Sequence, residues 1–142
     1  MQLTFGGGFF NMSNNQKPDI SLIPLGGVGE IGKNMMLLKM NDEMIIIDTG
    51  VKFPEDDLLG IDLVIPDFSY VKENKDKIKG IVLTHGHEDH IGGLPYLLKD
   101  LNVPIFGTKL TLGLLEGKLK EHNLLKGRKL KIVNPGNSID IG

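Results

Sequence analysis

The sequence of 142 residues predicts an α/β fold. Short apolar runs rich in β-branched residues recur along the chain between glycine, proline and asparagine, as is typical of strands. Two later stretches instead repeat leucine every three or four residues, which indicates helices that bury one face. Strands that alternate with such helices favour a sheet covered by crossover helices. The hydrophobic share of 40% and the charged share of 24% are ordinary for a globular domain.

The first half of the chain is predicted to be mostly strand. Strands are expected at 20–25, 35–40 and 44–47. The last of these is apolar throughout, as in a strand buried on both faces. The glycine-rich stretch 26–34 differs in spacing from a dinucleotide-binding loop, and no clear helix follows it. A strand–turn–strand whose glycines pass close to an active site is therefore favoured. Residues 1–19 are expected to be a disordered, tag-like or upstream extension, and one hypothesis is that translation starts at Met12.

The second half is predicted to alternate helices with strands. Helical spacing extends over 68–78, 94–101 and 108–123, and Thr108 can cap the last helix. The leucines expected on the buried helix faces are Leu94, Leu97, Leu98, Leu101, Leu112, Leu115 and Leu119. Strands are expected at 80–83, 104–107, 130–133 and 138–141, with a Pro135–Gly136 turn between the last two. His122 is expected to face solvent at a helix end rather than to bind a metal.

The stretch 84–93 concentrates the residue types that bind metals. Three of the four histidines and a carboxylate fall within six positions, as His85, His87, Asp89 and His90. Neutral imidazole nitrogen and carboxylate oxygen are ligands of zinc. His85 and His87 are two residues apart and can reach one ion from the same side of the chain. Asp89 and His90 project differently and suit a second, adjacent ion. A coincidental polar loop is the alternative, but it would not need the neighbouring glycines that allow close backbone approach.

The spacing His-x-His-x-Asp-His over 85–90 resembles the metal-binding signature of the metallo-β-lactamase superfamily. That resemblance implies an α/β/β/α four-layer sandwich with one or two zinc ions at the edge of its sheets, and 20–142 would form its first half. It also implies that Asp48 supports the metal site by orienting a ligand or a bound water. A simple turn aspartate is the alternative for Asp48. Asp89 and Asp48 are the catalytic candidates.

Two further stretches, 25–34 and 48–62, look together with 84–93 like the N-terminal part of the bacterial ribonuclease J family. The resemblance implies a two-zinc ribonuclease with 5′-to-3′ exonuclease and endonuclease activity in RNA processing and decay, in which two metals activate a hydroxide. It also implies that Gly60 and Asp62 hold a separate hard cation such as Ca²⁺. Mn²⁺ is a further candidate cofactor of the protein. An ordinary acidic surface loop is the alternative for these two residues.

The same family needs further ligands that this sequence does not contain: another histidine, a bridging aspartate and a late histidine. Its RNA-gripping β-CASP domain and its C-terminal domain are absent as well. We therefore expect an N-terminal fragment with little or no nuclease activity of its own. A sandwich without its second sheet would expose an apolar face, which favours homo-oligomers or hetero-oligomers with a paralogous ribonuclease.

Composition limits the remaining classes. Cysteine is absent, which leaves no disulfide or thiolate ligand and fits a cytoplasmic protein. No apolar run reaches the roughly 18 residues of a membrane span. The net charge of −2 gives no global signal for nucleic acid. The basic tract between 109 and 131, which consists of lysines and Arg128, is a candidate phosphate contact, with a solvated helix face as the alternative. Two other classes of protein remain open as alternatives to a ribonuclease. These are a hydrolase of thioesters or lactams and a non-enzymatic interaction module.

Overall fold

The computed structural model describes residues 2–4, 18–54 and 60–142 of the chain. Within these residues the strands are β1 (Gln2–Thr4), β2 (Ile20–Gly26), β3 (Met35–Met40), β4 (Glu43–Ile47), β5 (Ile78–Val82), β6 (Ile105–Gly107), β7 (Leu130–Ile132) and β8 (Ser138–Asp140). The α-helices are α1 (Ser69–Glu73), α2 (Glu88–Ile91), α3 (Leu94–Leu97) and α4 (Lys109–Glu121). Of the helices described, none is long and apolar enough to cross a membrane. The elements confirm the predicted α/β class.

Strands β2 to β7 form one mixed sheet in chain order. β2, β3 and β4 are antiparallel neighbours, whereas β4, β5, β6 and β7 run parallel to one another. Parallel neighbours need crossover connections, and α1, the α2–α3 pair and α4 lie in the three that join them. The carboxyl ends of β4 and β5 therefore meet the start of β3 at one edge of the sheet. β1 and β8 pair separately and in parallel.

The helices cover one face of the sheet. In β4, Met44 and Ile46 join the helix-side core, and Ile45 joins a smaller cluster on the opposite face. All three are at most 1% exposed, which confirms a strand buried on both faces. The helix-side core also contains all the leucines that the sequence predicts there: Leu94, Leu97, Leu98, Leu101, Leu112, Leu115 and Leu119. Thr108 caps α4 as predicted, because its Oγ1 accepts the Thr111 N–H at 3.3 Å.

The opposite face of the sheet is apolar and partly open. Its buried cluster comprises Ile45, Val82, Phe106, Val133 and Ile141, with Ile139 packed against it. Leu22 lies opposite Leu38, and Leu38 lies opposite Ile45, so Leu22 shares this face. Leu22 is nonetheless 58% exposed. One helical layer on one sheet agrees with the first half of the four-layer sandwich that the resemblance implies.

Several element boundaries differ from those that the sequence predicts. The helix expected over 94–101 ends at Leu97 and continues as turns, although its leucines stay buried. The expected helix over 68–78 is α1 followed by a 3₁₀ turn at Lys75–Lys77, and Ile78 already belongs to β5. β7 and β8 join different sheets rather than each other. Gln2–Thr4 is a strand within the extension expected to be disordered, whereas 5–17 lies outside the described residues.

Candidate functional site

The candidate site lies at the sheet edge where β3 begins and where β4 and β5 end. Asp48 directly follows β4, and Thr84 comes two residues after β5. Asn34 directly precedes β3, which runs antiparallel to β4. After Thr84 the chain forms the histidine loop, and α2 then carries Asp89 and His90. The loop predicted at 84–93 therefore contains one short helix, α2. His85 and His87 precede this helix, whereas Asp89 and His90 lie on it.

Backbone hydrogen bonds lock together the three stretches on which the ribonuclease J resemblance rests. The Asn34 N–H donates to the Asp89 carbonyl at 3.0 Å, and the Gly50 N–H donates to the Asn34 carbonyl at 3.0 Å. The Thr49 N–H donates to the His90 carbonyl at 2.7 Å, which links the segment after β4 to α2. A Cβ on Gly50 would lie only 1.6 Å from the Asp89 carbonyl oxygen, so a side chain there cannot be accommodated. The three stretches therefore form one structural unit.

Asp48 is a buried carboxylate with a complete set of donors. Its side chain is 6% exposed. Its Oδ1 accepts the Thr84 N–H at 2.8 Å, and its Oδ2 accepts the Thr84 hydroxyl at 2.6 Å. The same Oδ2 lies 2.8 Å from His90 Nδ1. These contacts provide the pairing without which a carboxylate at the end of a buried strand would be costly.

The Asp48 network fixes the tautomers of two histidines. A carboxylate only accepts, so His90 Nδ1 carries a proton, and in the neutral ring Nε2 then has the free lone pair. The single Thr84 hydroxyl proton goes to Asp48, so Thr84 Oγ1 accepts from His85 Nδ1, which lies 3.0 Å away. In the neutral ring of His85, Nε2 therefore has the free lone pair as well. Unprotonated imidazole nitrogen is the form that binds a metal.

The predicted ligands are near one another but do not all surround one point. The ring centroids of His85 and His90 are 4.0 Å apart, and those of His85 and His87 are 4.6 Å apart. Asp89 Oδ2 lies 3.4 Å from His90 Nε2. In the part of the chain that is described, no three His, Cys, Asp or Glu side chains converge closely enough to hold a metal ion.

The donor set nonetheless fits zinc in its chemistry. His85 and His90 offer unprotonated nitrogen, and Asp89 offers a carboxylate oxygen. In a tetrahedral site with bonds of roughly 2.0–2.2 Å, neighbouring donor atoms are about 3.4 Å apart. The separation of 3.4 Å between Asp89 Oδ2 and His90 Nε2 matches this value. The pair is thus already spaced as two ligands of one ion.

The other candidate residues are far less constrained. His122 is exposed at the end of α4, with its ring 6.0 Å from that of Tyr96, which agrees with the expected solvent-facing position. Gly60 and Asp62 are exposed. The acidic residues just before them, within 55–59, lie outside the described residues. A calcium site at Gly60 and Asp62 stays a prediction.

Asn34 and Thr84 belong to the site, although neither has a role predicted from the sequence. Thr84 bridges Asp48 and His85 through its hydroxyl. The Asn34 Nδ2 lies 3.0 Å from Asp89 Oδ2 and 3.1 Å from His90 Nε2. A polar side chain placed directly before a buried strand, at the end of a glycine-rich turn, was the available signal for Asn34.

An open cleft of about 660 Å³ borders the site beside Asp89. Its lining includes Glu30, Lys52, Phe53 and Asp89. Hydrogen bonding from Lys33 holds the pKa of the Glu30 carboxyl below its usual value. On the other side of the loop, Lys118 of the candidate phosphate-contacting tract pairs with Glu88 at 2.9 Å. That lysine therefore supports α2 instead of remaining available to an anion.

Comparison with known families identifies the class of protein that this fold and site define. Residues 28–140 match the family model of the metallo-beta-lactamase superfamily, and the chain belongs to that superfamily. Unliganded yeast PDE1 aligns with a TM-score of 0.57 at 16% identity, covering 85% of this chain and 52% of that one. A diphosphatase from the PhnP family aligns with a TM-score of 0.52 at 21% identity, covering 85% of this chain and 51% of that one. At these identities the likeness shows the fold alone.

Curated relatives confirm the resemblance to ribonuclease J. Ribonuclease J 1 of Streptococcus pyogenes is 53% identical over 116 residues, which is 82% of this chain and 21% of the relative. Ribonuclease J 2 of Staphylococcus aureus is 52% identical over 124 residues, 87% of this chain and 22% of the relative. Ribonuclease J of Helicobacter pylori is 49% identical over 134 residues, which is 94% of this chain and 19% of the relative. The chain therefore spans about a fifth of the length of the relatives it matches.

Proposed function

We propose that this protein is a zinc-dependent ribonuclease that cleaves RNA phosphodiesters both from the 5′ end and internally, in rRNA processing and RNA decay in the cytoplasm. The observation that carries the proposal is the locked unit of three stretches around Asp89. A thioester or lactam hydrolase would need only the histidine loop. This chain adds the two flanking stretches, and relatives named ribonuclease J are 49% to 53% identical to it over the aligned residues.

Each side chain has a proposed role in that reaction. His85 and His87 would bind the first zinc ion, and Asp89 and His90 the second. Asp48 would act through His90. Its carboxylate would accept the proton of His90 Nδ1 in a hydrogen bond, which leaves the Nε2 lone pair of the neutral ring for the metal. When bound, two divalent ions supply Lewis-acid activation of water and neutralise charge on the phosphodiester. Manganese is a second candidate metal for the same donors.

The cleft beside Asp89 supports a substrate of nucleotide size. Its volume of about 660 Å³ falls within the range of roughly 300–1,000 Å³ for small-ligand pockets. Phe53 is 64% exposed at its margin, and exposed aromatic rings can stack on nucleobases. We propose that RNA is the substrate partner. Homo-oligomers, or hetero-oligomers with a paralogous ribonuclease, are the proposed assemblies.

The test is a substrate comparison on the protein that the gene encodes, loaded with Zn²⁺ or Mn²⁺. A 5′-monophosphorylated RNA, a panel of thioesters and a β-lactam are supplied in parallel. We expect RNA cleavage that falls by at least about 100-fold in His90→Ala, because a metal ligand is lost. His122→Ala is the matched control and should retain full activity. Thioester or lactam turnover without RNA cleavage would contradict the proposal, and no turnover together with no zinc uptake would favour an interaction module.

A further inference from the structure

The side chain of Asn34 reaches two of the proposed metal ligands from far away in the sequence. Its Nδ2 lies 3.0 Å from Asp89 Oδ2, 3.1 Å from the Asp89 carbonyl oxygen and 3.1 Å from His90 Nε2. Both Asp89 oxygens only accept, so the amide nitrogen and not the amide oxygen must face them. The amide oxygen faces Gly27, where a Cβ would lie 2.4 Å from it. Glycine at that position leaves room for this orientation.

The amide nitrogen has two protons for three acceptors. Asp48 accepts from His90 Nδ1, so in the neutral ring His90 Nε2 is the acceptor for the Asn34 amide at 3.1 Å. Asp89 Oδ2 accepts from the same nitrogen. The amide therefore donates to the two groups that a cation would bind, and when a cation takes His90 Nε2 the released amide proton can pass to the Asp89 carbonyl oxygen, so that no hydrogen bond is lost. It also draws both groups toward one point.

The anchoring of Asn34 does not depend on its side chain. Its backbone N–H donates to the Asp89 carbonyl and its carbonyl accepts from Gly50, both at 3.0 Å. The amide can therefore release one acceptor while the turn stays in place. It would keep the Asp89 carbonyl oxygen at 3.1 Å as a partner.

We propose that Asn34 is a positioning residue that holds Asp89 Oδ2 and His90 Nε2 at the spacing a divalent cation requires. The amide donates to both groups in the metal-free protein and gives up His90 Nε2 when the cation binds. This inference rests on the metal dependence in the proposed function. It assigns to Asn34 a role in preparing the site, not in contacting RNA.

The test combines zinc titration with nuclear magnetic resonance on the metal-free protein, with no RNA present. Calorimetry compares the parent protein with Asn34→Ala, and we expect the variant to bind zinc about tenfold more weakly or worse. Asn74→Ala is the matched control, because it removes an amide that donates to the Tyr70 carbonyl at 2.9 Å, away from the site. In the parent, the side-chain amide signals of Asn34 should shift in step with His90 Nε2 as zinc is added. A purely structural amide would keep its hydrogen bonds, so its proton signals would not move towards the values of an amide that has lost His90 Nε2 as acceptor.

Each outcome decides the inference. Unchanged zinc affinity in a folded Asn34→Ala would overturn it, as would Asn34 signals that stay fixed while those of His90 move. If Asn34→Ala does not fold, the coupled shift in the parent protein still decides between the two roles. Failure of the parent to bind zinc would overturn both this inference and the metal dependence. If Asn34→Ala weakens zinc binding but the protein does not cleave RNA, only the proposed substrate is overturned.

Discussion

At the scale of single residues, Asp48 has a backbone φ of +59°, a left-handed conformation that few side chains other than those of asparagine and aspartate adopt readily. Asp48→Asn therefore changes the carboxylate with little backbone cost. The amide can accept fewer of the three donors from Thr84 and His90, so one donor loses its partner. We expect a loss of about 1–3 kcal/mol in the free energy of unfolding, measured by urea denaturation.

The same variant should also shift the proton of His90 away from Nδ1, which imidazole ¹⁵N chemical shifts report. Asp42→Asn is the matched control, because Asp42 is an exposed partner of Lys77 and its loss should change stability by less than about 0.5 kcal/mol. An Asp48→Asn protein as stable as the parent, with the His90 tautomer unchanged, would show that the buried carboxylate does not organise the site.

At the scale of elements, Gly50 in the loop after β4 and Gly113 inside α4 should respond in opposite directions to alanine. A Cβ at Gly50 would meet the backbone carbonyl of Asp89, which no side-chain rotation can relieve. Gly113 lies inside α4 with no atom within 4 Å of the position a Cβ would take. We expect Gly50→Ala to cost at least about 1–3 kcal/mol. Gly113→Ala should stabilise the protein by up to about 1 kcal/mol, through higher helix propensity.

Thermal and urea unfolding of the two variants, measured side by side, test this contrast. Gly117→Ala offers a second position on α4 with open space around its Cβ and should resemble Gly113→Ala. Equal stability of Gly50→Ala and the parent would mean that the β4 end and the histidine loop do not pack as closely as the structure places them.

The elements also show which features can be read from the sequence and which cannot. The strands and the buried leucines follow from local periodicity, so the core was predictable. The end of α3 at Leu97 was not, because Leu98 and Leu101 continue the apolar spacing through turns. The four candidate metal ligands at 85–90 are predicted from their spacing, and their role stays a prediction. The contact between Asn34 and Asp89 was not, since it joins residues 55 positions apart and no local pattern encodes that pairing.

At the scale of the whole molecule, the two faces of the sheet are covered unequally. Helices bury one face, whereas Ile139 and Ile141 cover only part of the other. β2 lies at one end of the six-stranded sheet within the described residues, and Ile20 and Leu22 on it are 60% and 58% exposed. Exposed apolar side chains at a sheet edge favour pairing with another chain. The apolar face therefore supports the proposed self-association.

Leu22→Lys tests this face directly, because it places a charge on the open surface without changing the helix-side core. We expect the dissociation constant for self-association, measured by sedimentation velocity, to rise by about tenfold or more, which corresponds to losing about 1.4 kcal/mol of apolar burial. Leu110→Lys is the matched control, since Leu110 is 75% exposed on α4, on the side of the sheet away from Leu22. If both variants change self-association equally, or neither does, the open face of the sheet is not where copies of this chain meet.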